Sequence, residues 1–248
     1  MDNVWYRLLF PATCKGCGKR HPIKIDNTPY PVFCPTCEEA WQRGMREECP
    51  QCYRPRFSCT CQKPSMKREG FSLHVKLAGY SDAAADRVMH HVVLYLKRRS
   101  SIPLFERLAK ELRQGVMEAI QSLGYDTDHA LIVPLPRTPK SLRLYGTDAA
   151  VKLSKALSNE TGIPCEPLLY RTRDSIEQKA LGEAERLENL QGAFASRQVP
   201  PNVCVLLVDD VVTTGGSMYH AGKALKAAGA RDMIAVSLAT TQKKRKPA

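Results

Sequence analysis

An α/β fold with a parallel central sheet flanked by helices, carrying a small cysteine-rich module at its N-terminal end, is what three observations predict. Val203 to Val208 is an unbroken apolar run of strand length, as expected of a strand buried on both faces. It is followed by Asp209-Asp210, by the turn Thr213-Thr214-Gly215-Gly216-Ser217, and by Met218, Ala221, Leu225 and Ala228 at helical spacing. Other short apolar runs alternate with helical stretches upstream, the order that a parallel sheet with crossover helices requires. Eight of the ten cysteines lie before residue 62, which sets that segment apart.

Taken in order, residues 1–13 place Val4, Trp5, Leu8 and Leu9 on one face of a short helix that Pro11 stops. Cys14-x-x-Cys17 and Cys34-x-x-Cys37 follow with sixteen residues between them, a zinc-site spacing. A second set comes at Cys49-x-x-Cys52 and Cys59-x-Cys61. Each pair can span one edge of a tetrahedron, so four thiolates close a structural Zn2+ shell, with one or two ions in the module. Sequential and crossed pairings both satisfy the ligand count. A module of about 60 residues has little apolar core, so metal is expected to supply much of its folding free energy. The boundaries are a module over 1–62, a polar linker over 63–70, an α/β domain over 71–242 and a basic tail over 243–248.

Leu73 to Tyr80 reads as a strand. Val88, Met89, Val92, Val93 and Leu96 mark a helix ending in Lys97-Arg98-Arg99, and Leu104, Leu108, Leu112, Val116 and Ile120 mark the next. The helix dipole accounts for the terminal cations without a ligand. Ala130 to Pro134 is a buried strand, followed by a prolyl loop whose Arg137, Lys140 and Arg143 read equally as cations meeting a pyrophosphate past the strand end and as solvated loop charge. A helix from about Asp148 to Glu160 and a strand near Pro167 to Tyr170 come next. The long charged connection over 171–194 has the length of a functional loop and brings Arg171, Arg173, Lys179 and Arg186 as cations. Met233 to Ala239 is the last strand.

In the turn, glycines let successive N–H groups converge, hydroxyls add donors, and a helix start supplies a positive dipole end. Thr213, Thr214, Gly215, Gly216 and Ser217 therefore read as a phosphate cradle, beside which Asp209 and Asp210 can accept from a vicinal diol. The ligand implied is a sugar 5-phosphate. No G-x-x-x-x-G-K-[ST] loop accompanies the acidic pair and no G-x-G-x-x-G is present, which sets aside nucleotide triphosphatase and dinucleotide readings.

The run V-L-L-V-D-D-V-V-T-T-G-G-S resembles the phosphoribosyl pyrophosphate (PRPP) signature of type I phosphoribosyltransferases. The resemblance implies that fold, with Asp209 and Asp210 on the ribose hydroxyls, the turn on the 5-phosphate, and Mg2+ arriving with PRPP. Together with the cysteine pairs and the segment Arg171-x-Arg173…Gln178…Glu185-Arg186-x-x-Asn189-x-x-Gly192-Ala193-Phe194, the whole chain resembles the ComF family of competence proteins. It departs from the family at Tyr145-Gly146-Thr147-Asp148-Ala149, where members commonly carry R-G-F-N-Q.

The resemblance implies a PRPP-binding protein linked to DNA uptake and natural transformation, transferring phosphoribosyl to an acceptor as the loop cations meet the leaving pyrophosphate. Its implied partners are single-stranded DNA and a competence helicase or strand-loading protein. Rival readings are a nucleobase-salvage transferase and a non-catalytic single-strand-binding accessory protein. The net charge of +12 suits polyanions, and eight thiolates on two dications would lower it by four, to +8. No secretory signal and no apolar run of about 18 residues is seen, so the expectation is a cytoplasmic protein with no membrane role.

Overall fold

The computed structural model describes residues 13–20, 32–80, 87–172 and 190–241. Four strands form one fully parallel sheet in the order β1 (Phe71–Tyr80), β6 (Asp232–Thr241), β5 (Cys204–Val212) and β2 (Ala130–Pro134). All four carboxyl ends therefore lie on one edge, where open parallel sheets bind ligands. Cys165 extends the outer edge through a single parallel bridge to Ile132.

Side chains alternate between two apolar layers, as period-2 geometry demands. Leu206, Val208, Ile234, Val236 and Ile132 enter the layer covered by α3 (Arg87–Arg98), α4 (Ile102–Ser122) and α6 (Ala149–Thr161). Leu207, Val205, Met233, Ala235 and Val133 enter the other, covered by α7 (Gly216–Ala227). This double burial is why the strands read as continuous apolar runs rather than as alternating ones. Two further strands, β3 (Leu169–Arg171) and β4 (Phe194–Ser196), pair antiparallel as a separate ribbon. Among the described residues, no helix is long and apolar enough to cross a membrane.

Three segments differ from the sequence expectation. The prolyl segment contains a helix, α5 (Pro139–Tyr145): Thr138 Oγ1 accepts from Ser141 N at 3.1 Å, Pro139 suits the first turn, and Gly146 ends it at φ +65°. Strand β5 runs on to Val212, so the acidic pair lies within it rather than beyond it. The segment over 63–70 is no free linker. It holds α2 (Pro64–Arg68), whose Met66 is completely buried against the α7 layer. The apolar Met66 had been masked by its charged neighbours.

The cysteine-rich module contributes α1 (Pro35–Arg46) and two knuckles of the same construction. In the first, Gly18 N donates to Cys14 O and Cys14 N to Lys19 O, both at 2.9 Å. In the second, Tyr53 N donates to Cys49 O and Cys49 N to Arg54 O, both at 2.8 Å. Each knuckle needs a left-handed residue after its second cysteine, supplied by Gly18 at φ +72° and by Tyr53 at φ +59°. Arg107 of α4 docks the module: its guanidinium meets both carboxylate oxygens of Glu38 at 2.6 and 2.7 Å and covers the Phe33 ring. The helix expected over 1–13 and the tail over 243–248 fall outside the described residues, apart from Thr13.

Candidate functional site

Past the carboxyl ends of β2 and β5 lies a cavity of about 390 Å3. Asp209, Asp210, Thr213, Ser217, Arg137 and Arg171 line it, so strand, turn and loop residues named from the sequence meet at one place. Thr214, Gly215 and Gly216 complete the turn between Thr213 and Ser217, with Gly215 at φ +82° immediately before α7.

The two carboxylates are not equivalent. Asp210 is 8% exposed and its Oδ2 lies 3.0 Å from Arg137 Nη2. Asp209 is half-buried, and its Oδ1 accepts from the Asp210 amide at 2.8 Å. Desolvation by the surrounding protein, then repulsion from Asp210, pushes the Asp209 carboxyl well above its usual range. A cation or a diol donating into this pair would relieve that repulsion.

Arg137 is held from several sides: Nη1 donates to Thr147 O at 3.2 Å, its own amide donates to Asp148 Oδ2 at 3.3 Å, and its guanidinium lies over the Tyr145 ring. Arg171 Nε donates to Pro136 O at 3.2 Å, and the guanidinium stacks on Phe194. Both cations thus have fixed planes at the cavity wall. Lys140 and Arg143 are exposed on α5 and are not among the residues lining the cavity; helix formation there turns them to solvent. Arg173, Lys179 and Arg186, with Gln178, Glu185 and Asn189, lie outside the described residues.

The cavity also includes Lys97, Tyr145 and Leu190, which sequence reasoning did not select. In sequence Lys97 reads as a cation placed by the dipole of α3. The end of α3 meets the segment after β2, where Lys97 O accepts from Arg137 Nη1 at 3.5 Å. Tyr145 occupies the first position of the departure from the family pattern, so an aromatic ring stands where members commonly carry arginine.

The eight N-terminal cysteines form two sets, Cys14, Cys17, Cys34 and Cys37, and Cys49, Cys52, Cys59 and Cys61, with the four sulfurs of each within 4.8 Å of one another. The pairing is therefore sequential, not crossed. A tetrahedral tetrathiolate zinc centre has sulfurs roughly 3.8 Å apart, so either set could hold such an ion with small adjustments. Main-chain amides already face the sulfurs: Gly16 N and Cys34 N each lie 3.3 Å from Cys14 Sγ. At Cys49, burial opposes ionisation, but amides of Gln51 and Cys52 and the neighbouring thiols outweigh it and bring the thiol down to about 7. Burial and crowding by thiols push Cys61 up to about 12. A bound dication would offset that crowding.

The phosphoribosyl transferase domain family matches residues 150–248, which contain β5, the turn and α7. Over 237 residues the chain is 26% identical to the DNA utilization protein YhgH of Salmonella typhi, covering 90% of this chain and 94% of that protein. It is 31% identical over 112 residues to Competence protein F of Haemophilus influenzae, covering 44% and 49%. It is also 25% identical over 211 residues to Competence protein ComFC of Streptococcus pneumoniae, covering 83% and 86%. With a cysteine-rich front docked on a phosphoribosyltransferase-like sheet, and with likeness to these competence and DNA utilization proteins along most of its length, the chain resembles the ComF family.

Proposed function

We propose that this protein binds PRPP at the cavity past the carboxyl ends of β2 and β5 and transfers its phosphoribosyl group to an acceptor, in DNA processing linked to uptake. One observation carries the reading: two adjacent carboxylates and a hydroxyl-and-glycine turn at a helix N-terminus border the same cavity as two fixed guanidinium groups. Asp209 and Asp210 accept from the ribose hydroxyls, and the turn over 213–217 takes the 5-phosphate. Arg137 and Arg171 face the pyrophosphate, with Arg173, Lys179 and Arg186 of the long connection joining them. In the transfer, the C1–oxygen bond breaks with its electron pair leaving on pyrophosphate, while an acceptor lone pair forms the new bond to C1 and the acceptor loses a proton. Mg2+ bound with PRPP would supply further neutralisation of the leaving group.

The two four-cysteine sets are proposed to hold structural Zn2+, with no open position for substrate. The names of the relatives refer to competence and DNA utilization, which supports a role in DNA handling; we propose that it acts beside single-stranded DNA in the cytoplasm, with a helicase or strand-loading protein as partner.

Calorimetric titration of PRPP with Mg2+ into the full chain tests the reading. Wild type is expected to bind, and Asp209→Asn/Asp210→Asn to lose about 100-fold in affinity, since several charge-assisted hydrogen bonds disappear. Equal binding would overturn it. Pyrophosphate release with a panel of bases and amines, beside a salt-dependent single-stranded DNA shift, then separates a transferase from a binding protein.

A further inference from the structure

Three successive main-chain carbonyls leading into and through the turn each accept from a side-chain hydroxyl of another segment. Val212 O accepts from Thr240 Oγ1 at 3.2 Å, Thr213 O from Thr241 Oγ1 at 2.9 Å, and Thr214 O from Ser65 Oγ at 3.0 Å. In a planar trans peptide the carbonyl and the following N–H point in opposite directions. Tying these carbonyls therefore turns the amides of Thr213, Thr214 and Gly215 away from the three hydroxyls. Among the described residues, no main-chain carbonyl accepts from those three amides. The hydroxyls consequently orient the donors of the turn.

Two of them come from the end of β6, the neighbouring strand. The third comes from α2, only four residues after Cys61, the last thiol of the cysteine-rich module. Ser65 is 5% exposed, and the segment around it presses on the turn. A Cβ added at Gly215 would stand 2.7 Å from Ser65 Oγ and 3.2 Å from both Lys63 Cβ and Met66 Cγ. Lys63 Nζ also donates to the main-chain oxygen of Thr241, the residue that holds Thr213 O. The exit of the module is thus built into the back wall of the turn.

We propose that Ser65 is a positioning residue for the anion-binding turn, so that the cysteine-rich module sets the grip of the α/β domain on a sugar 5-phosphate. This rests on the PRPP reading and adds a role for the module within it. Ser65 touches no ligand: it holds Thr214 O so that the Gly215 amide is presented to the phosphate.

The test compares PRPP, ribose 5-phosphate and pyrophosphate, each with Mg2+, by calorimetry on full-length wild type, Ser65→Ala and Thr241→Val. Each variant is expected to bind PRPP and ribose 5-phosphate about tenfold more weakly, the loss of one oriented hydrogen bond, with pyrophosphate affinity unchanged. Wild-type affinity for all three ligands in both variants overturns the inference and leaves the PRPP reading standing. Equal loss for pyrophosphate and for ribose 5-phosphate also overturns it, because the effect is then general rather than confined to the turn. If wild type binds neither PRPP nor ribose 5-phosphate, the PRPP reading itself fails, and the inference with it. Thr241→Val reads the same kind of tie from β6, and Ser65→Cys, which keeps the shape of the side chain with a much weaker donor, carries the test of Ser65 by the same criteria should Ser65→Ala not fold.

Discussion

Arg137 Nη2 and Asp210 Oδ2, 73 residues apart in sequence, meet at 3.0 Å across the carboxyl edge of the sheet. This pair joins the segment after β2 to the acidic end of β5, and it commits the nearer guanidinium to Asp210 rather than to Asp209. The result is an asymmetric pair of carboxylates, one salt-bridged and one held above its usual range by burial and by its neighbour.

That asymmetry predicts a trade of stability against binding. A carboxyl whose pKa is raised in the folded protein binds more protons folded than unfolded, so stability falls as pH rises from its ordinary 3.8 through the raised value. Asp209→Asn removes this loss. It is expected to stabilise the protein near pH 7.5 by on the order of 1 kcal/mol, about 2–4 °C in melting temperature. The gain shrinks as pH is lowered toward 4, and ligand binding is lost throughout. Thermal melts from pH 4 to 8 check this; a gain that grows toward low pH would contradict it.

Arg107 is expected to govern docking of the cysteine-rich module. It meets Glu38 bidentately and Glu111 at 3.0 Å, while Trp41 Nε1 also donates to Glu111 Oε2 at 2.9 Å. Burial pushes the Glu111 carboxyl up despite the opposing pull of Arg107, so removing the guanidinium leaves a mostly buried acid uncompensated. Arg107→Ala should cost about 2–3 kcal/mol in urea denaturation. Arg107→Lys should recover less than half of it, because an ammonium cannot serve both carboxylates in the same planar geometry.

Lys76 ties the second cysteine set to β1. Its buried Nζ donates to Cys59 O at 2.9 Å, Cys61 O at 2.8 Å and His74 O at 3.2 Å. Lys76→Met leaves these carbonyls without that donor and removes a positive charge beside Cys49, Cys52, Cys59 and Cys61. On the proposal that each set holds one Zn2+, chelator competition with a colorimetric indicator should release one ion per chain more readily from this variant, with the ion at Cys14, Cys17, Cys34 and Cys37 unaffected. Release of both together would show that the sets are not independent. Metal analysis returning no zinc, with disulfides in its place, would remove the metal reading itself.

Tyr53 pays a backbone cost that its counterpart Gly18 does not. Its side chain is 69% exposed, so little packing is lost on truncation. Tyr53→Gly is expected to stabilise the second knuckle by up to about 1 kcal/mol, and Gly18→Ala to destabilise the first by a similar amount. Denaturation midpoints of the metal-loaded protein measure both.

Much of the fold was legible because its signals are local. The buried strands at Ala130 to Pro134 and Val203 to Val208, the stripes of α3 and α4, and the strand, acidic pair, turn and helix in series all depend on residues close in sequence. The misreadings are of the opposite kind. The 63–70 segment looks polar because Met66 is its one apolar residue, buried beside Ser65 and Glu69, and nothing in the five-residue α2 announces the turn and the α7 layer that receive Ser65 and Met66. Lys97 looked like a cation at a helix terminus, which it also is.

By itself, the order of residues determined that a phosphate-turn chemistry follows a buried strand and that eight cysteines come in clamps of metal-site spacing, since periodicity, turn geometry and chelate bite act over a few bonds. Only the tertiary structure decided which clamps share a centre, that Arg137 takes Asp210, and that Ser65 reaches Thr214 across a separation of 149 residues. The last two follow from the strand order β1-β6-β5-β2, which brings distant loops to one edge of the sheet, and the first from the fold of the knuckles themselves.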